Sequence, residues 1–583
     1  MRVNMFCYQC EQTAGGTGCT AMGVCGKDPR TAALQDLLIH AAKGISMYAH
    51  RARDLGAGDR EMDVFTVEAL FSTVTNVNFD PRRLEELVRR AGRLRGKAER
   101  LYQEACRKKA QQPEPLAGPA AWQPAADLEG LIAQGQEIGI AGRKERRGDD
   151  VVGLQELLTY GLKGMAAYAD HAMVLGREDD QVYAFFHEAL DLLTRDDVTV
   201  DQLVAMNLRC GEVNLKVMGL LDAANTGAYG DPVPTRVRVE PLKGKAILVS
   251  GHDLKDLEAL LQQTLGKGIN VYTHGEMLPA HGYPGLKKYG HLAGNYGGAW
   301  QDQRKEFDRF PGAILMTTNC IQKPKDSYKD RIFTTGLVAW PGVVHIGDRD
   351  FSPVIEAALA AVGFSEDGPD KTIMVGFGHA AVMGVADKVV AAVKSGAIRH
   401  FFLIGGCDGA KSGRNYYTEF AQALPEDTVI FDPGLRQVPL QQAGFRRYRR
   451  HPALVGRGAV QRRLLGHPDR SGPGRGVRHR CEQPASVPDP LLVRAEGRLH
   501  PADLAPPGYQ EHPPGPQPAG LRHPRGAQGA GGQFQHHAHL DGRRGYQGDP
   551  GVGAECGCPA PSAGAGSFPP LWMNKPFSVN YEE

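Results

Sequence analysis

Several blocks of this chain return 120 positions later. Leu34-Gln35-Asp36-Leu37-Leu38 comes back as Leu154-Gln155-Glu156-Leu157-Leu158, Lys43-Gly44 as Lys163-Gly164 and Tyr48-Ala49 as Tyr168-Ala169. Leu55-Gly56 returns as Leu175-Gly176, and Glu68-Ala69-Leu70 as Glu188-Ala189-Leu190. A constant offset means one structural unit laid down twice. In the first copy Leu34, Leu37, Leu38, Ala41, Ile45, Tyr48 and Ala52 recur at three- and four-residue spacing, the signature of one apolar helix face. Gly56 and Gly58 stop that helix, and two more are expected over 65–77 and 81–105. The expectation is two copies of one helical bundle, joined by a Pro- and Ala-rich linker over 111–124 that crosses the surface.

From Lys243 the period changes. Short apolar runs at 246–250, 268–272, 313–317 and 343–346 read as buried parallel strands, with a helix over 254–265. A second such unit starts with a strand at 372–375, passes through a helix at 386–394 and reaches a strand at 401–404. Strands alternating with helices imply Rossmann-like α/β layers, so the fold class is multidomain α + α/β.

Four cysteines precede all of this, Cys7, Cys10, Cys19 and Cys25, spaced C-x2-C-x8-C-x5-C with Gly15-Gly16-Thr17-Gly18 between them. Small residues let a backbone wrap closely around an inorganic core and aim its N–H groups at sulfur. Four thiolates so close can hold one tetrahedral zinc or one iron–sulfur cubane. Disulfides need an oxidising compartment, and Met1-Arg2-Val3-Asn4 leads into the cysteines without the apolar segment of a signal peptide. Eleven cysteines in such a chain point to metal or redox chemistry in the cytoplasm. A net charge of +2 gives no electrostatic case for nucleic acid, and no apolar run reaches the length of a membrane span.

Further metal-competent side chains follow the expected strands: His252 the first, Glu276 the second, Cys320 the third and Cys407 a later one. The carboxyl ends of strands line the ligand crevice of open α/β sheets. Mixed imidazole, carboxylate and thiolate donors suit iron and leave a coordination position open.

These motifs, with Gly251-His252-Asp253-Leu254, Thr273-His274-Gly275-Glu276-Met277-Leu278-Pro279, Thr318-Asn319-Cys320 and Gly405-Gly406-Cys407-Asp408-Gly409, resemble the hybrid cluster (prismane, hydroxylamine reductase) proteins, relatives of carbon monoxide dehydrogenases. The resemblance runs over residues 5–431. It implies a [4Fe-4S] cluster on Cys7, Cys10, Cys19 and Cys25. It also implies a hybrid [4Fe-2O-2S] cluster with His252, Glu276 and Cys320 among its ligands and Cys407 as a persulfide-bearing cysteine. His252, Glu276 and Cys407 would be the catalytic residues. The implied reaction is reduction of hydroxylamine to ammonia and water, with electrons from a redox partner protein. Nitric oxide reduction at the same cluster and plain electron transfer by the cubane are the alternatives. His274, His281 and Glu306 are candidate proton suppliers.

The resemblance stops abruptly. No isoleucine follows Ile430, and after Lys411 the only lysine is Lys575, while Arg, Pro, Gly, His and Gln take over. The two further cysteines and one glutamate implied downstream of Cys407 are not in register. With permitted codons, reading one nucleotide on turns residues 432–441 into TLACGKYRF, 459–466 into QCNDAYSA and 492–501 into WYEQKAVCIL, the family's missing motifs. Residues 507–519 can likewise become a GIKNIRLGPSLPA-like strand and loop. A reading-frame shift near residue 431 is therefore expected, and Cys481, Cys556 and Cys558 carry no functional weight. The expected organisation is a cysteine-rich segment (1–30), a helical domain with the internal repeat (31–240), an α/β domain (241–365), the start of a second (366–431) and an out-of-frame, disordered tail (432–583).

Overall fold

The computed structural model describes residues 5–10, 13–404, 415–425, 427–432 and 454–456. Cys407 lies outside the described residues, as does the expected out-of-frame tail (432–583) apart from Asp432 and 454–456, which are strand.

Helices α1 (Pro29–Asp54), α2 (Arg60–Ser72) and α3 (Pro81–Lys108) are followed by two shorter ones, α4 (Leu128–Glu137) and α5 (Ile140–Arg147). Then come α6 (Asp149–Val174), α7 (Asp180–Leu192) and α8 (Val200–Tyr229). Pro29 and Arg60 open α1 and α2, and Asp149 and Asp180 open α6 and α7 at the offset of 120 read from the sequence. Aspartates cap the starts: Asp28, Asp59, Asp80 and Asp179 each accept a backbone N–H of the first turn. Thr199 and Gln202 form a reciprocal capping box on α8.

The copies do not bury their faces separately. Leu34, Leu38 and Phe65 of the first share one continuous core with Leu158, Leu162 and Phe186 of the second. A buried polar chain crosses the seam: Ser46 Oγ lies 2.9 Å from His187 Nδ1, and His187 Nε2 lies 2.9 Å from Asp63 Oδ1. Arg53 donates to the other Asp63 oxygen at 2.6 Å.

The linker crosses the surface as expected, residues 111–118 being almost all exposed, but it dips into the protein at one point. A 3₁₀ turn at Gly118–Ala121 buries Ala120 completely, and Arg95 Nη1 donates to the Ala120 carbonyl at 2.8 Å. Gly44 on α1 makes room, since a Cβ there would lie 2.2 Å from the Pro119 oxygen. Its repeat counterpart Gly164 has nothing within 4 Å of such a Cβ. The two glycines therefore answer one substitution oppositely. Gly44→Ala is expected to destabilise by about 1–3 kcal/mol through overpacking. Gly164→Ala is expected to stabilise by about 0.5–1 kcal/mol by relieving a helix-interior glycine. Midpoints of denaturant unfolding measure both.

Beyond β1 (Thr235–Arg238) come β2 (Lys245–Ser250), α9 (Leu254–Thr264), β3 (Ile269–His274), α10 (Pro284–Lys287), β4 (Leu292–Asn295) and α11 (Gln303–Arg309). Strands β5 (Ala313–Met316), β6 (Ile332–Thr335) and β7 (Val344–Ile346) follow, then α12 (Ser352–Ala360). Strands β2 to β7 form a six-stranded sheet, parallel throughout, in the order β4-β3-β2-β5-β6-β7. Both faces are covered: Ile247, Val249 and Leu315 pack into one apolar cluster and Ala246, Leu248 and Ile314 into another. That double burial is why these strands read as unbroken apolar runs. Chain direction across the sheet reverses between β2 and β5, which creates a crevice at their carboxyl ends.

The strand expected to open the second α/β unit, β8 (Thr372–Val375), pairs antiparallel with β1 instead. Its partner lies far back in the chain, and no local pattern encodes that choice. After α13 (His379–Met383) and α14 (Ala386–Lys394), strand β9 (His400–Leu403) starts a separate parallel sheet. With α15 (Tyr416–Ala423) between them, β9 and β10 (Thr428–Asp432) pair directly, and β11 (Leu454–Gly456) adds to β10.

The helical region and the large sheet are stitched together just after α2. Asn78 bridges to Ala339, Phe79 N donates to the Ala339 oxygen at 2.9 Å, and Asn76 Nδ2 donates to the Ile321 oxygen at 2.6 Å.

Candidate metal centres

The cysteine loop is zipped by its own backbone. Cys7 N donates to Cys19 O at 3.0 Å, and Cys19 N returns to Cys7 O at 2.8 Å. Thr13 closes the turn between them, its N donating to Cys10 O at 3.1 Å and its hydroxyl to Cys7 O at 3.0 Å. Gly18, at φ +153°, lies under the Phe6 ring, where a Cβ would come within 2.6 Å of a ring carbon. None of Cys7, Cys10, Cys19 and Cys25 is in a disulfide.

Ala14 N–H points at Cys19 Sγ from 3.4 Å. Burial alone would raise the Cys19 thiol. The backbone N–H groups of Ala14 and Val24, the Thr13 hydroxyl and the Lys27 charge outweigh it and hold the thiol below its ordinary range. Cys25 and Trp340 both pack against the apolar cluster that contains Phe79. Burial pushes its thiol up, Lys27 opposes, and Cys7 and Cys19 add to the rise. Gln9 anchors the loop to both repeat copies, donating to Thr75 Oγ1 at 2.9 Å and accepting from Lys163 Nζ at 2.7 Å.

The second set stands where β2, β3 and β5 end. Gly251, at φ +121°, turns the chain after β2, and a Cβ there would lie 2.4 Å from Thr317 Oγ1. The turn delivers His252 to Thr318, whose hydroxyl oxygen lies 2.8 Å from His252 N and 3.0 Å from Nδ1. With Nδ1 so engaged, Nε2 is the atom turned toward Glu276. Gly275 turns the chain after β3 at φ +54° and presents Glu276.

Cys320 follows β5 at φ +81°, a left-handed conformation uncommon for a residue with a Cβ. Its neighbours enforce it. Gln303 Nε2 donates to the Cys320 oxygen at 2.7 Å, and Ile321 N donates to the Asn76 oxygen at 3.2 Å.

The coordinating atoms of His252, Glu276 and Cys320 all lie within 4.8 Å of one another. His252 Nε2 and Glu276 Oε2 are in hydrogen-bond contact, and Cys320 Sγ is 3.7 Å from the same oxygen. Cys320 is buried, and burial together with the Glu276 carboxylate pushes its thiol well above the ordinary range. Among the described residues the loop cysteines do not converge so tightly. Removing the imidazole's support is expected to be costly: Thr318→Val should lower Co(II) affinity at His252, Glu276 and Cys320 about 10–100-fold, read by spectroscopic titration.

This chain matches the Prismane/CO dehydrogenase family over residues 5–460. It belongs to that family. It is 59% identical over 427 residues to a hydroxylamine reductase of Syntrophobacter fumaroxidans, covering 73% of this chain and 78% of that one. It is 57% identical over 430 residues to a hydroxylamine reductase of Rhodospirillum rubrum, covering 74% of this chain and 78% of the relative. Among solved structures, carbon monoxide dehydrogenase IV of Carboxydothermus hydrogenoformans is similar at 16% identity and a TM-score of 0.36, covering 76% of this chain and 70% of that one, a likeness too slight to carry an argument. No described helix is long and apolar enough to cross a membrane.

In this Prismane/CO dehydrogenase family member the other proposed proton suppliers are tied up. His274 is fully buried, with Nδ1 3.1 Å from Ser250 Oγ and Nε2 2.8 Å from Glu306 Oε2. Burial lowers His281 to about 4, so its ring is neutral near pH 7, with Nε2 2.9 Å from Thr273 Oγ1.

Two residues near the centre went unflagged in the sequence. The His171 ring centroid is 6.3 Å from that of His252, and its Nδ1 is buried with no hydrogen-bond partner among the described residues. Asp170 is raised to about 8 by burial first, then by Asp253 and Glu68, against the opposing charge of Arg349. The available signal was the repeat itself, where Asp170-His171 replaces His50-Arg51.

A carboxyl whose folded pKa lies above its unfolded value weakens the fold as pH rises between the two. Asp170→Asn is therefore expected to leave stability unchanged below about pH 4 and to raise it progressively up to about pH 8. Thermal midpoints of both proteins at pH 5 and pH 8.5 give the comparison.

Proposed function

We propose that this protein, in the reading frame restored past residue 431, is a hydroxylamine reductase, catalysing NH2OH + 2e⁻ + 2H⁺ → NH3 + H2O, and that the chain as written keeps only part of the second centre. In this reading Cys7, Cys10, Cys19 and Cys25 hold a [4Fe-4S] cluster, and His252, Glu276, Cys320 and Cys407 belong to a hybrid [4Fe-2O-2S] centre. The observation that carries it is the meeting of His252, Glu276 and Cys320 at the carboxyl edge of the sheet, beside the switch between β2 and β5.

The residues fit the groups. Zinc–sulfur bonds of about 2.3 Å need four thiols drawn close together, whereas a cubane spreads them. The wider loop, with a backbone N–H aimed at Cys19 Sγ, suits the cubane. The donor set at the second centre mixes soft and hard ligands, as iron accepts. When bound, the two clusters supply the electrons and an open iron position for the substrate.

The chain's own groups do the rest. Thr318 Oγ1 holds the His252 imidazole at Nδ1, 3.0 Å away; in the metal-bound state it would accept the Nδ1 proton and leave Nε2 for coordination. Gln303 and Asn76 hold the strained Cys320 turn, so the thiol's direction is set before metal arrives. A separate redox protein feeds electrons in at the cysteine loop. Residues from about 432 onward are read as out of frame, and the alignments support this by covering 78% of each relative's length.

The test is anaerobic ammonia formation from hydroxylamine by iron-loaded, frame-corrected protein with a reduced dye as donor. One ammonia per two electrons is expected, and none from Cys320→Ala. Dye oxidation without ammonia, or ammonia formation indifferent to Cys320, would overturn the reading.

A further inference from the structure

The helical repeat places two lysines, Lys43 and Lys163, at equivalent positions in its two copies. Both open onto one cavity of about 250 Å³ at α1, α5, α6 and the turn after α7. Arg143, Arg146, Arg147 and Arg195 join them in its walls. The carboxylates lining the same space are Asp36 and Glu156, themselves repeat equivalents, and Asp196. Among the described residues, six cationic side chains therefore face three carboxylates.

Those carboxylates are already engaged or inadequate. Glu156 takes Arg143 at 2.5 Å, and Asp196 takes Arg147 at 3.2 Å. Asp36, raised to about 6 by burial, forms no ion pair with any of the six among the described residues. Lys163 is spent on Gln9 Oε1 at 2.7 Å. Lys43 has no hydrogen bond and no ion pair among the described residues. Burial first, then the Arg143 charge, lowers it to about 8. Glu156 and Asp36 pull the other way, yet neither forms an ion pair with it, and a lysine crowded by cations without a partner of its own is a costly arrangement unless something fills the space.

We propose that this cavity is a binding site for a tetrahedral oxyanion, either free phosphate or sulfate or the phosphoryl group of a larger molecule. Planar guanidinium forks and a point-charge ammonium are the donors such a group takes. The space is several times the roughly 30 Å³ that one water occupies in the liquid. Among the described residues only Arg143 and Arg147 of the six cations have a carboxylate partner within the cavity, and Arg195 pairs with Asp191 outside it. An oxyanion carrying one or two negative charges offsets that excess. The site is separate from the His252, Glu276 and Cys320 centre and does not rest on the proposed reaction. Through Lys163 and Gln9 it abuts the cysteine loop.

The test uses the full chain, with equilibrium dialysis against inorganic phosphate, sulfate and AMP at ionic strength fixed with sodium chloride. Saturable binding of one anion per chain is expected, weakened at least tenfold in Lys43→Met and in Arg147→Gln. Binding should also raise the thermal midpoint of the parent chain and not of the variants. Tighter binding of AMP than of phosphate would identify a phosphoryl group on a larger ligand, and the reverse a free oxyanion. Arg147 is only partly buried, so Arg147→Gln decides the matter if Lys43→Met fails to fold. Absence of saturable binding by all three anions, or equal binding by Arg147→Gln, overturns the proposal.

Discussion

Shifting the reading frame by one nucleotide near codon 431 is expected to raise bound iron from about four to about eight atoms per chain and to switch hydroxylamine turnover on. The chain as written keeps the cysteine loop, whose four thiols lie on a backbone zipped at Cys7 and Cys19. It also keeps His252, Glu276 and Cys320 at the sheet edge. Those three side chains can grip one ion. A four-iron centre presents more coordination positions than they can fill, and Cys407 adds only one. The remaining two cysteines and one glutamate implied by the family resemblance exist only in the shifted frame. Colorimetric iron and ammonia assays on both chains decide the point. Eight irons and full turnover in the chain as written would remove the frame-shift reading. Four irons in the corrected chain would remove the ligand assignment at the second centre.

Cys19→Ala is expected to abolish the visible absorption of the loop cluster and to release about four irons, with Cys106→Ala as the control. Both thiols are buried, but Cys106 lies in the apolar core of the helices and Cys19 in the loop. Cys19 also receives the Ala14 N–H, whose role is to steady a thiolate. Loss of a ligand leaves that donor aimed at a methyl group. Absorption spectra and iron content on the two variants make the comparison. A colourless parent holding one zinc would refute the cubane outright.

What the sequence makes legible here is local. A parallel strand covered on both faces is an uninterrupted apolar run, so β2, β3 and β5 can be seen, and with them the positions of His252, Glu276 and Cys320 just past their ends. The repeat is legible because it is literal. Pairing is not. That β8 joins β1, or that β5 lies beside β2, depends on partners far along the chain. The insertion of Ala120 under α1 is hidden because its enabling feature is an absent side chain at Gly44. Asn76 is hidden for a related reason: a polar residue after a helix reads as a cap or a turn, while its φ of +64° and its grip on Ile321 come from the meeting of two regions. His171 and Asp170 belong by sequence to the helical repeat and by position to the metal centre, and a reading made segment by segment assigns them only once.

The stitch between Asn76 and Ile321 also sets a schedule. Its two ends are 245 residues apart. At about 5–20 residues per second on the ribosome, the second end appears roughly 10–50 s after the first. Cys25 waits at least as long, because Trp340, packed against the same cluster, is made later still. For that interval the newborn chain carries Cys25 with part of its apolar cluster still unmade. Oxidants and stray metals compete with iron for that thiol during the window, before its apolar cluster is complete.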